Sequence, residues 1–73
     1  MVTVLSQPGC HACEQTKAYL SSHNIPFEDK NIREDEQALH QLEALGYAAT
    51  PVVVAGDQHW AGFDPEKLAT LVH

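Results

Sequence analysis

Basic residues are scarce in this chain of 73: Lys and Arg number four against ten Asp and Glu, a formal net charge of -6 with the five histidines neutral. That sign argues against phosphate backbones and anionic membranes as partners, so neither nucleic acid nor a membrane surface is expected to bind. Long hydrophobic runs are missing as well. The longest apolar segment, Pro51 to Ala55, is far too short to span a bilayer, and the start MVTVLSQP has neither the basic region nor the apolar stretch of a secretory signal. A cytoplasmic location is the expectation. There is no internal repeat, low-complexity tract or linker, and the length suits one modest core, so residues 1–73 are expected to form a single domain. Cysteine is nearly absent too, with two in the whole chain.

Those two stand three apart in QPGCHACEQT, residues 7 to 16. A C-x-x-C pair can clamp a metal, close a structural disulfide, or carry electrons by opening and closing a disulfide. In a reducing cytoplasm a lasting structural disulfide is disfavoured, which leaves redox chemistry and metal binding. A tetrahedral zinc site needs four ligands, and the candidates beyond Cys10 and Cys13 are His11, His23, His40, His59 and His73, none in an H-x-x-x-H pairing near them. His11, between the cysteines, is poorly aimed to join them at one metal, so no metal site is expected. A metal carrier, or an iron–sulfur cluster shared between two chains with Cys10 and an external thiol as ligands, stays as the non-enzymatic alternative.

MVTVLS is short, β-branched and apolar and ends at Pro8-Gly9, which predicts a buried strand and a turn. From Cys10 onward CHACEQTKAYLSSH has no Pro or Gly and sets Cys13, Thr16 and Leu20 at helical spacing on one inward face, with Cys10 near the first turn. Asn24 and Pro26 break that helix, and PFEDKNI reads as an edge strand supported mainly by Phe27 and Ile32. REDEQALHQLEAL predicts a second helix, with Glu34, Asp35 and Glu36 at the positive end of its dipole, Ala38, Leu42 and Leu45 along one face, and Gly46 as its stop. PVVVA predicts a strand covered on both faces, and Gly56-Asp57 turns it into QHWA, an antiparallel partner. Asp64 suits the N-cap and Pro65 the first position of a last helix that carries Leu68, Leu71 and Val72 inward. The predicted order is β-α-β-α-β-β-α. It is an α/β fold whose first two strands are parallel through a right-handed crossover, with a hairpin added to the same small mixed sheet and three flanking helices.

This order puts C-x-x-C on the loop between the first strand and the first helix, where unpaired N–H groups and the helix dipole stabilise a thiolate. A free thiol has a pKa of about 8.5, and helix N-termini in such motifs lower it to roughly 3.5 to 7.5. Cys10, the outer cysteine, is then the nucleophile, and Cys13, one turn inside, resolves the mixed disulfide. His11 reads either as a partial positive charge beside the Cys10 thiolate or as a solvated side chain. Lys17 reads as a surface lysine, and His23, His40 and His73 as exposed. Thr50-Pro51 directly precedes the buried strand, where a proline is ordinary; beside C-x-x-C it is also a candidate cis-proline that presents the Thr50 backbone to an incoming extended segment. Trp60 and Phe63 read as core first and as an exposed docking patch second, with Gly62 keeping the backbone accessible.

With TVLSQPGCHAC, LGYAATPVVVAGDQHWAGF and a terminal amphipathic helix, the chain resembles, nearly end to end, the NrdH-redoxin group of glutaredoxin-like proteins. These are small thioredoxin-fold proteins that pass electrons to ribonucleotide reductase. C-x-x-C by itself is a moderately specific signal, and joined to G-Y-x-x-x-P-V-V-V-A-G and W-x-G-F at this spacing it is strong. The resemblance implies a thioredoxin-like fold of the glutaredoxin type. It implies a protein disulfide oxidoreductase with no bound cofactor beyond the redox-active Cys10–Cys13 disulfide. It implies Pro51 as the cis-proline, and Trp60, Ala61, Gly62 and Phe63 as the surface near the redox centre. Ribonucleotide reductase is the implied client.

Departures from the family pattern bear on the electron source. The group usually has W-S-G-F-R-P, whereas this chain has W-A-G-F-D-P, so Ala61 and Asp64 replace a hydroxyl and a cation. Gly62-Phe63-Asp64 is instead similar to the G-[aromatic]-D of glutathione-using glutaredoxins, where a helix N-terminus holds the γ-glutamyl carboxylate. The dipeptide between the cysteines is His-Ala, neither the Val-Gln common in the group nor the Pro-Tyr common in glutaredoxins. Against glutathione, Gln7 stands where glutaredoxins often carry a lysine for the tripeptide's carboxylate, and the excess of acid repels an anionic thiol. Reduction by a thioredoxin-reductase-type flavoenzyme is therefore expected, with a glutathione-dependent glutaredoxin as the alternative.

Overall fold

The computed structural model describes residues 1–72. Its elements follow in the order β1 (Val2–Ser6), α1 (His11–Ser22), β2 (Phe27–Asn31), α2 (Glu36–Ala44), β3 (Val52–Ala55), β4 (Gln58–Ala61) and α3 (Pro65–Ala69). The four strands form one sheet in the order β2-β1-β3-β4, with β1 and β2 parallel and the other two pairs antiparallel. The two β-branched runs are thus the central strands, and the polar PFEDKNI strand is an edge.

Strand alternation sorts the core into two layers. Val2 and Val4 of β1 and Val53 of β3 face α1 and α3, where they pack with Leu20, Trp60 and Leu68. Leu5 and Val52 point the other way, against Ala38 and Leu42 of α2. Register makes this possible, because Val4 lies opposite Val53 and Leu5 opposite Val52, so equivalent faces meet. Val54 and Ala55, farther along β3, are only partly buried.

On α1 the inward face is Cys13, Thr16 and Leu20, all fully buried, as the spacing predicts. Thr16 satisfies its hydroxyl within the helix by donating to the Ala12 carbonyl at 2.9 Å. The helix that carries the cysteines is therefore anchored to the sheet at its far end by Leu20. Leu20→Ala is expected to cost about 2 to 5 kcal/mol through lost burial and a residual cavity. The whole domain has roughly 4 to 11 kcal/mol to lose. Urea unfolding followed by circular dichroism should show the lowered midpoint.

Two expectations are corrected. The second helix starts at Glu36 rather than Arg33, because Asn31 folds the chain into a turn first. Its side-chain oxygen accepts from Arg33 N–H at 2.8 Å and its carbonyl accepts from Asp35 N–H at 2.9 Å. Asp35 then caps α2, accepting from Gln37 and Ala38 N–H at 3.0 and 3.2 Å. Val72 does not point inward. Helix α3 ends at Ala69, and Val72 is 38% exposed while Leu68 and Leu71 pack on the core. His23 and His40 are exposed; His73 lies outside the described residues.

Candidate active site

Strand β1 delivers the chain to Ser6, and Pro8-Gly9 reverses it. Gly9 has φ +74°, a left-handed conformation that disfavours residues bearing a Cβ, and it lets Cys10 enter as the N-cap of α1. Cys10 has extended backbone angles, and its sulfur takes the place that an Asp or Ser oxygen fills at other helix starts: Sγ accepts from Cys13 N–H at 3.1 Å. Cys10 and Cys13 form a disulfide with their Cα atoms 5.2 Å apart. The two sulfurs are not equivalent, since Cys10 is partly exposed and Cys13 has no exposure at all.

The loop before β3 approaches from the other side. The Thr50–Pro51 peptide bond is cis. The Thr50 hydroxyl donates to Cys10 Sγ at 3.5 Å, and the Gln7 amide nitrogen donates to Thr50 Oγ1 at 2.9 Å. Pro51 is buried, and its carbonyl accepts from Gly62 N–H at 2.8 Å, which ties the end of β4 to this loop. Gly62 has φ +83°, so the chain leaves β4 through a turn suited to glycine.

The remaining predicted positions make no hydrogen bond to the sulfurs among the described residues. His11 is exposed and shares a shallow depression with Gly9, Cys10 and Glu14. Ala61 is exposed on β4. Trp60 is 4% exposed and belongs to the core with Leu20 and Leu68, so its ring is no docking patch; Phe63 packs partly against the same cluster. Asp64 caps α3, its carboxylate accepting from Lys67 N–H at 3.1 Å.

Sequence reasoning missed two arrangements here. Gln7 reads from the sequence only as an absent lysine, yet it reaches Thr50 across the loops. Lys17 is not a free surface lysine: its side chain is 23% exposed and bonds Asp29 at 3.0 Å, with Glu14 at 3.8 Å. Ser6 donates to the other Asp29 oxygen, so strand end, edge strand and α1 are joined. Ser6, a hydroxyl at the end of the strand VTVLS, is the available signal. Among the described residues no three His, Cys, Asp or Glu side chains are grouped to hold a metal ion.

The glutaredoxin family model matches residues 2–60. The chain belongs to the glutaredoxin family. A Lactococcus lactis glutaredoxin-like protein NrdH is 38% identical to it over 71 residues, which are 97% of this chain and 99% of that one. The structure of Escherichia coli NrdH-redoxin, a glutaredoxin-like protein described by its thioredoxin-like activity profile, is similar with a TM-score of 0.93 and 32% identity, covering 99% of this chain and 95% of that one. A glutaredoxin from Archaeoglobus fulgidus is similar with a TM-score of 0.80 and 30% identity, over 96% and 83%. The fold is thus the thioredoxin-like one, with a four-stranded mixed sheet and three helices. This glutaredoxin-family chain is a thiol–disulfide oxidoreductase similar to NrdH proteins, and its redox group is the Cys10–Cys13 disulfide.

Proposed function

We propose that the chain is an NrdH-like electron donor that takes two electrons from a thioredoxin-reductase-type flavoenzyme and delivers them to ribonucleotide reductase. The observation that carries the chemistry is the asymmetry of the two sulfurs, one partly exposed at a helix N-cap and the other buried one turn on. The Cys10 thiolate attacks one sulfur of the client disulfide, that S–S bond breaks, and the first client thiolate leaves and takes a proton. Cys13, its proton lost to solvent, then attacks Cys10 Sγ and expels the second client thiolate. The client has gained two electrons and Cys10–Cys13 is closed again. NADPH, through the flavoenzyme, reopens it.

Docking falls to the rim around Cys10. Thr50 is partly exposed, and among the described residues neither its N–H nor its C=O is bonded to another backbone group, so both are open to an extended client segment. Pro51 and Gly62 hold that edge in place through the Gly62 N–H to Pro51 carbonyl bond, and His11, next to Cys10, with Ala61 and Phe63, on either side of Gly62 in sequence, are the further contact residues of this reading. The thioredoxin-like activity profile ascribed to the Escherichia coli relative supports a flavoenzyme as reductant. So does Gln7, an uncharged amide that donates to Thr50 and offers a carboxylate no charge.

The test is reconstitution: NADPH, a thioredoxin reductase, this chain and a ribonucleotide reductase, with deoxyribonucleotide formation as the readout. Formation that depends on the chain and on Cys10 is expected. A chain reduced by the flavoenzyme but unable to support ribonucleotide reduction would leave the redox step standing and remove the client.

A further inference from the structure

Gln7 and Thr50 lie 43 residues apart in sequence, yet their side chains make one connected path to the outer sulfur. The Gln7 amide nitrogen donates to Thr50 Oγ1 at 2.9 Å, and that oxygen lies 3.5 Å from Cys10 Sγ. A hydroxyl carries a single proton and two lone pairs. Gln7 donates into a lone pair, so the Thr50 proton is not drawn toward Gln7. The sulfur, which has no proton to offer as a disulfide or a thiolate, is left to receive it. With the amide turned over, its oxygen would accept the Thr50 proton and Cys10 would lose this donor.

We propose that Gln7 is a positioning residue: acting through Thr50, it directs a hydroxyl proton at Cys10 Sγ and thereby holds the Cys10 thiolate. This deepens the proposed function and rests on its reading of Cys10 as the attacking thiol. Hydrogen bonds to the charged form of a group favour that form, and here the donor adds to the Cys13 N–H already on the same sulfur at 3.1 Å. Gln7 and Thr50 are both partly buried, which limits competition from water. A stabilised thiolate also favours the reduced state of the pair, so the relay makes the Cys10–Cys13 disulfide more oxidising.

The test measures the Cys10 thiol in a Cys13→Ser background, from the pH dependence of its alkylation rate. Thr50→Val, which keeps the shape and removes the hydroxyl, is expected to raise the midpoint by about half a unit to one unit, up to about tenfold less thiolate at a pH below it. Gln7→Ala is expected to raise it by part of that amount, and Gln7→Ala with Thr50→Val no further than Thr50→Val alone. Thr50→Ser, which retains the hydroxyl, is expected to stay near the parent value. Thermal melts check that each variant is folded, and the isosteric Thr50→Val and conservative Thr50→Ser keep the comparison intact if Gln7→Ala is unstable. The relay is overturned if Gln7→Ala leaves the midpoint unmoved, if its shift persists in full on the Thr50→Val background, or if Thr50→Ser shifts as far as Thr50→Val. Mapping the alkylated residue in the reduced parent protein separates this from the order of attack. Label first at Cys13 overturns that order and the relay with it; label at Cys10 with no shift in the variants overturns the relay alone.

Discussion

Reduced Cys13→Ser protein, mixed with its oxidised client, is expected to accumulate as a mixed disulfide through Cys10, while Cys10→Ser protein accumulates almost none. The reason lies in where α1 begins. Cys10 is its N-cap, partly exposed, with its sulfur accepting from a helix N–H and from Thr50, whereas Cys13 is fully buried on the face that packs on the sheet. Of the two cysteines, Cys10 is the one exposed to a client sulfur. Once the mixed disulfide exists, its resolution by Cys13 is intramolecular, and well-oriented reactions of that kind have effective molarities on the order of 10^5 M or more. Removing Cys13 therefore lengthens the life of the adduct by orders of magnitude, and removing Cys10 abolishes its formation. Mass spectrometry without reductant reads the outcome directly. A Cys10→Ser protein that trapped more client than Cys13→Ser would reverse the assignment of the two thiols.

The second large effect concerns glutathione, which should reduce the disulfide ten- to a hundredfold less effectively than it reduces a glutaredoxin with a lysine beside the outer cysteine. One missing charge-assisted contact is worth roughly 1.5 to 3 kcal/mol, about that factor in affinity. Gln7 holds the place of that lysine, and its amide, which gives one N–H to Thr50, carries no charge to offer a carboxylate. The other end of the tripeptide pulls the opposite way, since Asp64 caps α3 by accepting from Lys67 N–H, as the G-[aromatic]-D pattern of glutathione-using glutaredoxins would have it. One shared cap restores less than the missing charge-assisted contact takes away. The net charge of -6 adds a general repulsion. Turnover with glutathione, glutathione reductase and a small mixed-disulfide substrate measures the deficit, and Gln7→Lys is expected to narrow it. Rapid turnover in the parent chain, unchanged by Gln7→Lys, would contradict this account.

Much of this site is legible in the linear sequence because it depends on local pattern. The β-branched runs, Pro8-Gly9 before Cys10, and the recurrence of Cys13, Thr16 and Leu20 together place a buried and an exposed cysteine at the start of a helix. Asp64-Pro65 at the start of α3 is equally local, since cap and first-turn residues act within four positions. What stayed hidden depends on tertiary contact. Nothing near Gln7 indicates that it will meet Thr50, and nothing near Lys17 indicates Asp29, because each pair is created by loops and strands that come together only in the folded sheet. The start of α2 departs from its local pattern for a different reason. Acidic residues favour a helix N-terminus in general, but Asn31 closes a competing turn, and only one of the three acids, Asp35, becomes the cap. Trp60 is opposite Val53 on the face that α1 and α3 cover, and this register, which the residue's own neighbourhood in sequence does not reveal, is what sends the ring into the core.

On the proposed function, a thioredoxin-reductase-type flavoenzyme feeds electrons directly into the Cys10–Cys13 pair. The measurement closest to it leaves the client out: oxidised chain in excess, a trace of thioredoxin reductase, and NADPH followed at its absorbance maximum while thiols are counted and mapped. The expected result is one NADPH consumed per chain, with the new thiols at Cys10 and Cys13 and no consumption by Cys10→Ser. The contradicting result is NADPH and thiol counts that stay flat with every thioredoxin reductase tried, while glutathione and glutathione reductase open the same disulfide.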